Sequence, residues 1–252
     1  MKHILPFLAM LLCLSVVHPT QARRKQSLRL TSYNIHHGLG MDDSLDFRRI
    51  ANLFKQAKSD VIAVQEVDSA TQRIQNRYSL GELAQHCNMH ALFAPAISFQ
   101  GGKYGVGILC KRKPLSWHYI PLPGAEEARV LLVAEFKHYV VACTHLSLTE
   151  RDLLESIPLI VIEARKWQKP FILMGDLNAD PQSEFYRVMS KHFTFLNRPD
   201  EPTFPSQRPT ICIDHIAVFN ANADRVLKSE THVGHSLASD HCPLHARLRI
   251  TH

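Results

Sequence analysis

Short apolar runs punctuate the chain, and most of them close on a polar residue. Leu28 to Ile35, Val61 to Val64, Val140 to Cys143, Phe171 to Met174 and Ile211 to Ile213 have this form. Such a run, rich in β-branched residues and closed by Gly or a polar side chain, reads as a buried strand. Further strands are expected near Ala91 and over Gly105–Cys110, Arg129–Phe136, Asp214–Phe219 and Leu244–Ile250. Helical patterns alternate with them. Phe47, Ile50, Leu53, Phe54 and Ala57 recur at helical spacing, which predicts an amphipathic helix over Asp46–Lys58. Ser79 followed by Glu82 reads as a capping box, with Leu80, Leu83, Ala84 and Cys87 on the buried side. Thr149 with Asp152 opens another helix, which Pro158 is expected to interrupt or kink. A last helix is expected over Ser183–Met189. No repeat or linker divides residues 28 to 252, so the pattern predicts one mixed α/β domain.

The residues at the strand ends carry the chemistry. They are Tyr33-Asn34, Gln65-Glu66, Thr144-His145, Gly175-Asp176-Leu177-Asn178, Asp214-His215 and Asp240-His241; only the approach to Asp240 is polar. A single carboxylate after a strand is usually a turn or cap. Asn, Glu, His and Asp at several tips point instead to one shared face bearing a hard-metal and acid/base site. Asp176 and Asn178, two apart, would project to the same side of an extended chain. Oxygen ligands suit Mg2+ or Mn2+, and imidazole titrates near neutral pH. The chain has 16 histidines, but no His-x-x-x-His pair on a helix and no Cys/His finger spacing, which argues against zinc.

The ordered series Gly-Asp-x-Asn, Asp214-His215 and Ser239-Asp240-His241, opened by Tyr33-Asn34-Ile35-His36-His37-Gly38, resembles the endonuclease/exonuclease/phosphatase superfamily from about Leu28 onward. The opening and the Thr203-Phe204-Pro205 segment look like its bacterial branch. The resemblance implies an α/β fold of α+β type: a DNase I-like four-layer α/β sandwich of two packed mixed β-sheets flanked by helices, with the site at one edge. It also implies roles. Glu66 would be the principal metal ligand, with Asn34 and Asp240 beside it. His241 would activate the attacking water or stabilise the new P–O bond, Asp214 would orient His241, and His145, Asp176 and Asn178 would complete the catalytic set. His145, Asn178 and Arg129 would meet the substrate phosphate. His36, His37, His215 and His235 are assigned no direct chemistry, and His215 is expected to face away from the site. Two departures weaken a duplex-DNA assignment: Tyr104-Gly105-Val106-Gly107-Ile108 lacks the Asn many relatives carry, and His145 has no evident acidic partner.

The N-terminus adds a cellular expectation. Lys2-His3, an apolar stretch from Ile4 to Val17 and Thr20-Gln21-Ala22 have the order of a signal peptide over residues 1–22. The apolar part is too short to span a membrane. Cleavage after Ala22 would send the protein to the periplasm or beyond, leaving residues 23–27 as a basic tail; lipid anchoring at Cys13 is the alternative. Five cysteines would remain, best read as free and buried, with one Cys212–Cys242 disulfide as the alternative. The formal charge of +6 becomes +5 once Lys2 leaves, a thinly spread excess that decides little.

These readings combine into a secreted Mg2+-dependent hydrolase of phosphoesters, diesters ahead of monoesters, that is monomeric with no stable protein partner. Its substrate would be nucleic acid or a phospholipid head group. A sphingomyelinase-type enzyme would use an exposed aromatic cluster, for which Trp117 and Tyr119 beside Lys111-Arg112-Lys113 are suggestive. A nuclease would use a continuous basic groove. A silent binding protein on the same scaffold would have no physical need for all of Glu66, Asp176, Asn178, Asp214, Asp240 and His241.

Overall fold

The structure, a computed structural model, describes residues 24–252. The expected signal peptide (1–22) and Cys13 lie outside these residues. Two six-stranded sheets pack face to face. The first has the order β11-β12-β1-β2-β4-β3 and the second β5-β6-β7-β8-β10-β9. Here β1 is Lys25–Asn34, β2 Val61–Ser69, β3 His90–Phe99, β4 Gly102–Cys110, β5 Ser116–Leu122 and β6 Arg129–Glu135. The rest are β7 (Val140–His145), β8 (Phe171–Asp176), β9 (Phe193–Phe195), β10 (Asp214–Phe219), β11 (Val226–Val233) and β12 (Leu244–Thr251). Helices α1 (Phe47–Ala57) and α2 (Ser79–Cys87) cover the first sheet, and α3 (Glu150–Arg165) and α4 (Glu184–Met189) the second. This is the expected four-layer sandwich.

Strand alternation produces its three apolar layers. Leu28 and Leu30 of β1 and Cys143, Met174 and Ile216 of β7, β8 and β10 meet between the sheets. The alternate positions, such as Tyr33 and Ile35 on one side and Ala142, Leu173 and Ala217 on the other, pack against the helices. Each sheet holds one parallel pair near its middle, β1 with β2 and β7 with β8. Parallel strands finish at the same end, so the C-terminal tips of a pair deliver their last side chains side by side.

Several elements depart from the expectations. β1 starts at Lys25, and Lys25–Ser27 pair with Thr251, Ile250 and Arg249; that backbone is part of the sheet, not a tail. Ser79 is not a cap: Tyr78 occupies the N-cap, the Ser79 hydroxyl donates to the carbonyl of Asp68, and Glu82 is taken by Arg77. α3 runs through Pro158 without interruption, since Pro158 lies on its solvent face where water can serve the freed carbonyl. Ile211–Ile213 is no strand; β10 begins at Asp214, and Ile211 makes only an isolated bridge to Phe204. β5 and β11 have no clean apolar alternation and escaped the sequence pattern because edge strands bury little. Among the described residues all five cysteines are free, four of them buried.

Candidate active site

The site occupies the end of the inter-sheet layer, where the apolar rows of both sheets turn polar. In the second sheet His145 is the register partner of Asp176, and Asp176 of Asp214. All three continue the inward-facing rows of Cys143, Met174 and Ile216, two residues away along each strand. The row therefore places an imidazole and two carboxylates side by side against the first sheet. Gly175 permits this. A Cβ there would stand 2.0 Å from the Thr144 carbonyl oxygen, so the close approach of β8 to β7 requires a residue without one.

The first sheet answers with Asn34 at the tip of β1 and Glu66 in β2. Glu66 does not reach the site by simple alternation. The β2–β4 register shifts between Val64 and Val67, and Glu66 has a φ of 56°, a left-handed conformation at a bulge. The bulge re-aims the carboxylate while Gln65 stays in the inter-sheet layer, its amide 3.3 Å from Cys143 Sγ. Bulges of this kind store strain that a site can use. Asn34 then links the two sheets: its amide nitrogen donates to Glu66 Oε1 and to Asp176 Oδ2, each at 3.1 Å. Its oxygen accepts the backbone N–H of His36 at 3.1 Å. Asn34 thus presents amide hydrogens to the carboxylates, and it positions Glu66 here instead of offering its own oxygen.

His241 comes from the turn before β12. Its Nδ1–H donates to Asp214 Oδ2 at 2.8 Å, and its Nε2 lies 3.5 Å from Asp176 Oδ2 and 3.4 Å from the Asn34 amide nitrogen. Burial opposes charge on the imidazole, but Asp214 and Asp176 outweigh it and raise His241 to about 10. Phe204 packs on the ring at 4.7 Å, so the proline-rich stretch from Pro199 to Pro209 does border the site. Thr203 Oγ1 accepts the backbone N–H groups of Ile213 and Asp214 and fixes the start of β10. Asp214 Oδ1 is buried with no partner. His145 Nε2 lies 3.4 Å from Asp176 Oδ2, and its Nδ1 has no partner. Asp176 is the carboxylate His145 contacts.

Asn178 is not related to Asp176 by strand alternation, as expected from spacing. It adopts a φ of 48°, its backbone N–H caps Asp176 Oδ1 at 3.0 Å, and its amide donates to the Leu146 carbonyl at 2.9 Å. It ties the loop after β8 to the loop after β7. Arg129 begins β6, is buried, and shares a narrow cleft with Tyr104, Gly105 and His145. Its guanidinium is held by Glu126 at 3.3 Å and Glu127 at 3.1 Å. His215 faces the helical layer: its Nε2–H donates to the Ala179 carbonyl at 2.9 Å.

Several contributors carried no sequence signal. The Ser239 hydroxyl donates to the Asn34 carbonyl at 2.7 Å and lies 3.1 Å from Asp240 Oδ1, holding the Asp240-His241 turn onto β1. His37, assigned no chemistry, sits 4.0 Å from Glu66 Oε2. Burial would raise the Glu66 carboxyl, but His37, His145 and Asn34 more than offset it and hold it at about 2. Glu126 and Glu127 are a further omission; a Gly124-to-Glu127 turn gives no periodic pattern to read.

The donor chemistry fits a hard divalent cation. Glu66 stays ionised, one oxygen held by Asn34 and the other 4.0 Å from His37, and Asp240, the second carboxylate the resemblance implies, is half-buried and held by Ser239. Two carboxylates with water completing the shell is a Mg2+-type arrangement. Ligand atoms of Asp176, Asp214 and His241 also lie within 4.8 Å of one another. That buried group is already internally paired through the His241–Asp214 hydrogen bond, which suits proton handling better than a metal.

Known proteins resemble this chain in fold and in one family sequence model. A search of curated proteins by sequence returned no match. The fold is similar to that of an endonuclease/exonuclease/phosphatase from Beutenbergia cavernae DSM 12333 (TM-score 0.72, 21% identity, 89% of this chain and 72% of that one). One from Bacteroides vulgatus superposes with a TM-score of 0.73 at 19% identity, over 89% of this chain and 99% of that one. A mannosyl-6-phosphatase from Bacteroides thetaiotaomicron VPI-5482 gives 0.66 at 17% identity, over 88% and 99%. The sequence model of the Endonuclease/Exonuclease/phosphatase family matches residues 31–241, nearly every residue that builds the site. The chain belongs to the endonuclease/exonuclease/phosphatase family of phosphoester hydrolases.

Proposed function

We propose that this protein is an exported, Mg2+-dependent phosphodiesterase. The observation that carries the reading is Asn34 joining Glu66 to Asp176 while the Asp214–His241 pair faces the same Asp176 oxygen. Glu66 and Asp240 would hold the cation, which when bound supplies positive charge to the phosphate oxygens. Asp214 fixes the His241 ring with Nε2 directed at the reacting centre. The ring rests protonated, so its Nε2–H would stabilise charge on the new P–O bond, while Asp176 would orient the attacking water and accept its proton. Arg129 and His145, which line one cleft, would meet the phosphate together with Asn178, and His145 would give a proton to the leaving oxygen. Alignment and charge neutralisation are most of what phosphoryl transfer needs.

The charge balance favours diesters. Arg129 is already countered by both Glu126 and Glu127, two carboxylates against one guanidinium. A phosphomonoester brings nearly two negative charges near neutral pH (second pKa about 6), and a diester only one. The surplus carboxylates therefore penalise the monoester. A 2',3'-cyclic phosphatase, ANGEL2, shares the fold at a TM-score of 0.65 and 18% identity.

Activity across DNA, RNA, phospholipid, a soluble aryl diester and a sugar monophosphate, each with and without EDTA, tests the proposal. A diester should be turned over and EDTA should abolish the activity. Glu66→Gln should lose about two orders of magnitude or more, as expected when a metal's main anionic ligand is removed. Full activity in EDTA, or turnover confined to monoesters, would overturn the reading. Export is checked by N-terminal sequencing of secreted protein, which should begin at Arg23; a lipidated Cys13 would establish the anchored alternative.

A further inference from the structure

The outer face of β11, β12 and β1 carries a regular charged array that the active site does not use. Antiparallel register places Lys228, Arg249 and Ser27 in one cross-strand row, and Glu230, Arg247 and Arg29 in the next. His232, His245 and Thr31 form the third row. Direct register partners share a face, so these nine side chains point to the side away from Leu28, Leu30 and Leu248, although Thr31 is buried there against Ser59 and His245. Arg29, Arg247 and Arg249 are exposed. Among the described residues none of these three guanidiniums has a hydrogen bond or ion pair; Lys228 and Glu230 pair with each other at 2.5 Å. Between the rows lies a cavity of about 110 Å3 lined by Ser27, Lys228, Glu230, Arg247, Leu248 and Arg249. A second, of about 220 Å3, adjoins it at Arg29, Arg247, His232 and His245.

Glu230, the only carboxylate in the array, already pairs with Lys228, which lowers its carboxyl most; Arg247, its cross-strand partner, and Arg249 lower it further. Arg29 and Arg247 stand directly opposite each other, where like charges destabilise a strand pair. An anion between them would reverse that cost. We propose that this face is a docking surface for the phosphate backbone of a nucleic-acid strand. Guanidinium forks suit phosphodiester oxygens. Alternate residues along a strand repeat at about 7 Å and neighbouring strands at about 5 Å, so the array offers a series of cationic points and not a socket for one ion. The nine positions hold no Trp, Tyr, Phe or aliphatic side chain to enter a bilayer, which argues against a membrane surface. Contacts of this kind position a strand without reading its bases. The face sits toward the end of β1 remote from Asn34, so it would hold a long ligand outside the catalytic centre, whatever the substrate of that centre.

Fluorescence anisotropy of a labelled single-stranded oligonucleotide, in EDTA to prevent cleavage, tests this across a salt series. The triple variant Arg29→Ala/Arg247→Ala/Arg249→Ala should bind at least about tenfold more weakly, with the slope of log K against log salt reduced by about 2, at roughly 0.7 per lost phosphate contact. The Arg→Lys triple should keep most of the affinity. Melting temperature should hold or rise in the alanine variant as the opposed charges go. Turnover of a small soluble diester should be unchanged. No binding by the wild type, or equal affinity and slope in the alanine variant, would overturn the proposal. So would stronger capture by anionic-lipid vesicles than by oligonucleotide, lost in the same variant.

Discussion

His215 gives the sharpest quantitative test of the structure, because one fully enclosed ring links the fold to pH. Its Nε2–H donates to the Ala179 carbonyl at 2.9 Å, and its Nδ1 accepts from the Asn197 amide at 3.3 Å. Tyr186 and Phe195 flank it, with ring centroids 5.5 and 5.1 Å away. Both nitrogens are used in the neutral form, and burial lowers the pKa from 6.5 to about 4. The folded state therefore binds this proton less readily than the unfolded chain. Stability from His215 is complete above pH 6.5 and is lost as the pH falls through 6.5 toward 4. At 1.36 kcal/mol per unit the full loss is about 3 kcal/mol, of which about 2 kcal/mol is gone by about pH 5. His215→Gln can keep a donor for Ala179 but cannot titrate. Urea unfolding of both proteins, followed by Trp117 and Trp167 fluorescence from about pH 7.5 to 5, isolates the effect, because His245, also lowered to about 4, titrates equally in each. The variant should be less stable at neutral pH, and the gap should close by about 2 kcal/mol at the acid end. Parallel pH profiles for the two proteins would refute the reasoning, since they would mean His215 is solvated or already charged.

Two further outcomes are expected. If Asp214 acts through His241, the double variant Asp214→Asn/His241→Ala should turn over substrate at nearly the rate of His241→Ala alone; multiplying losses in kcat would count against the pairing. Gly175→Ala forces a methyl to within 2.0 Å of the Thr144 carbonyl oxygen. It should therefore cost about 2 kcal/mol or more in urea unfolding and reduce activity by displacing Asp176, whereas unchanged stability would mean the two strands have room to separate.

Much of the site was legible in the sequence because its residues terminate strongly apolar strands. A run such as Phe171-Ile172-Leu173-Met174 can only be buried, and the first polar residues beyond it must emerge where the core ends. Order along the chain then made Asn34, Glu66, His145, Asp176, Asp214, Asp240 and His241 candidates, and the family resemblance supplied the four-layer sandwich that periodicity cannot choose. The tertiary structure decided how they meet. The direct row His145–Asp176–Asp214 follows from register, which depends on pairing between residues 31 and 38 positions apart. Glu66 is aimed by a bulge, and a one-residue register shift leaves no periodic trace in a run such as Val61-Ile62-Ala63-Val64-Gln65-Glu66. Ser239, Thr203, Glu126 and Glu127 are ordinary loop residues by composition; only three-dimensional proximity gives them a role. The array of Arg29, Arg247 and Arg249 makes the same point, since residues more than two hundred positions apart become neighbours only when β12 returns beside β1. Sequence determines where a chain must bury itself and what chemistry lies at the boundary, because burial is a local property of each segment. Which of those boundary groups touch is set by long-range strand pairing, and that exists only in the folded molecule.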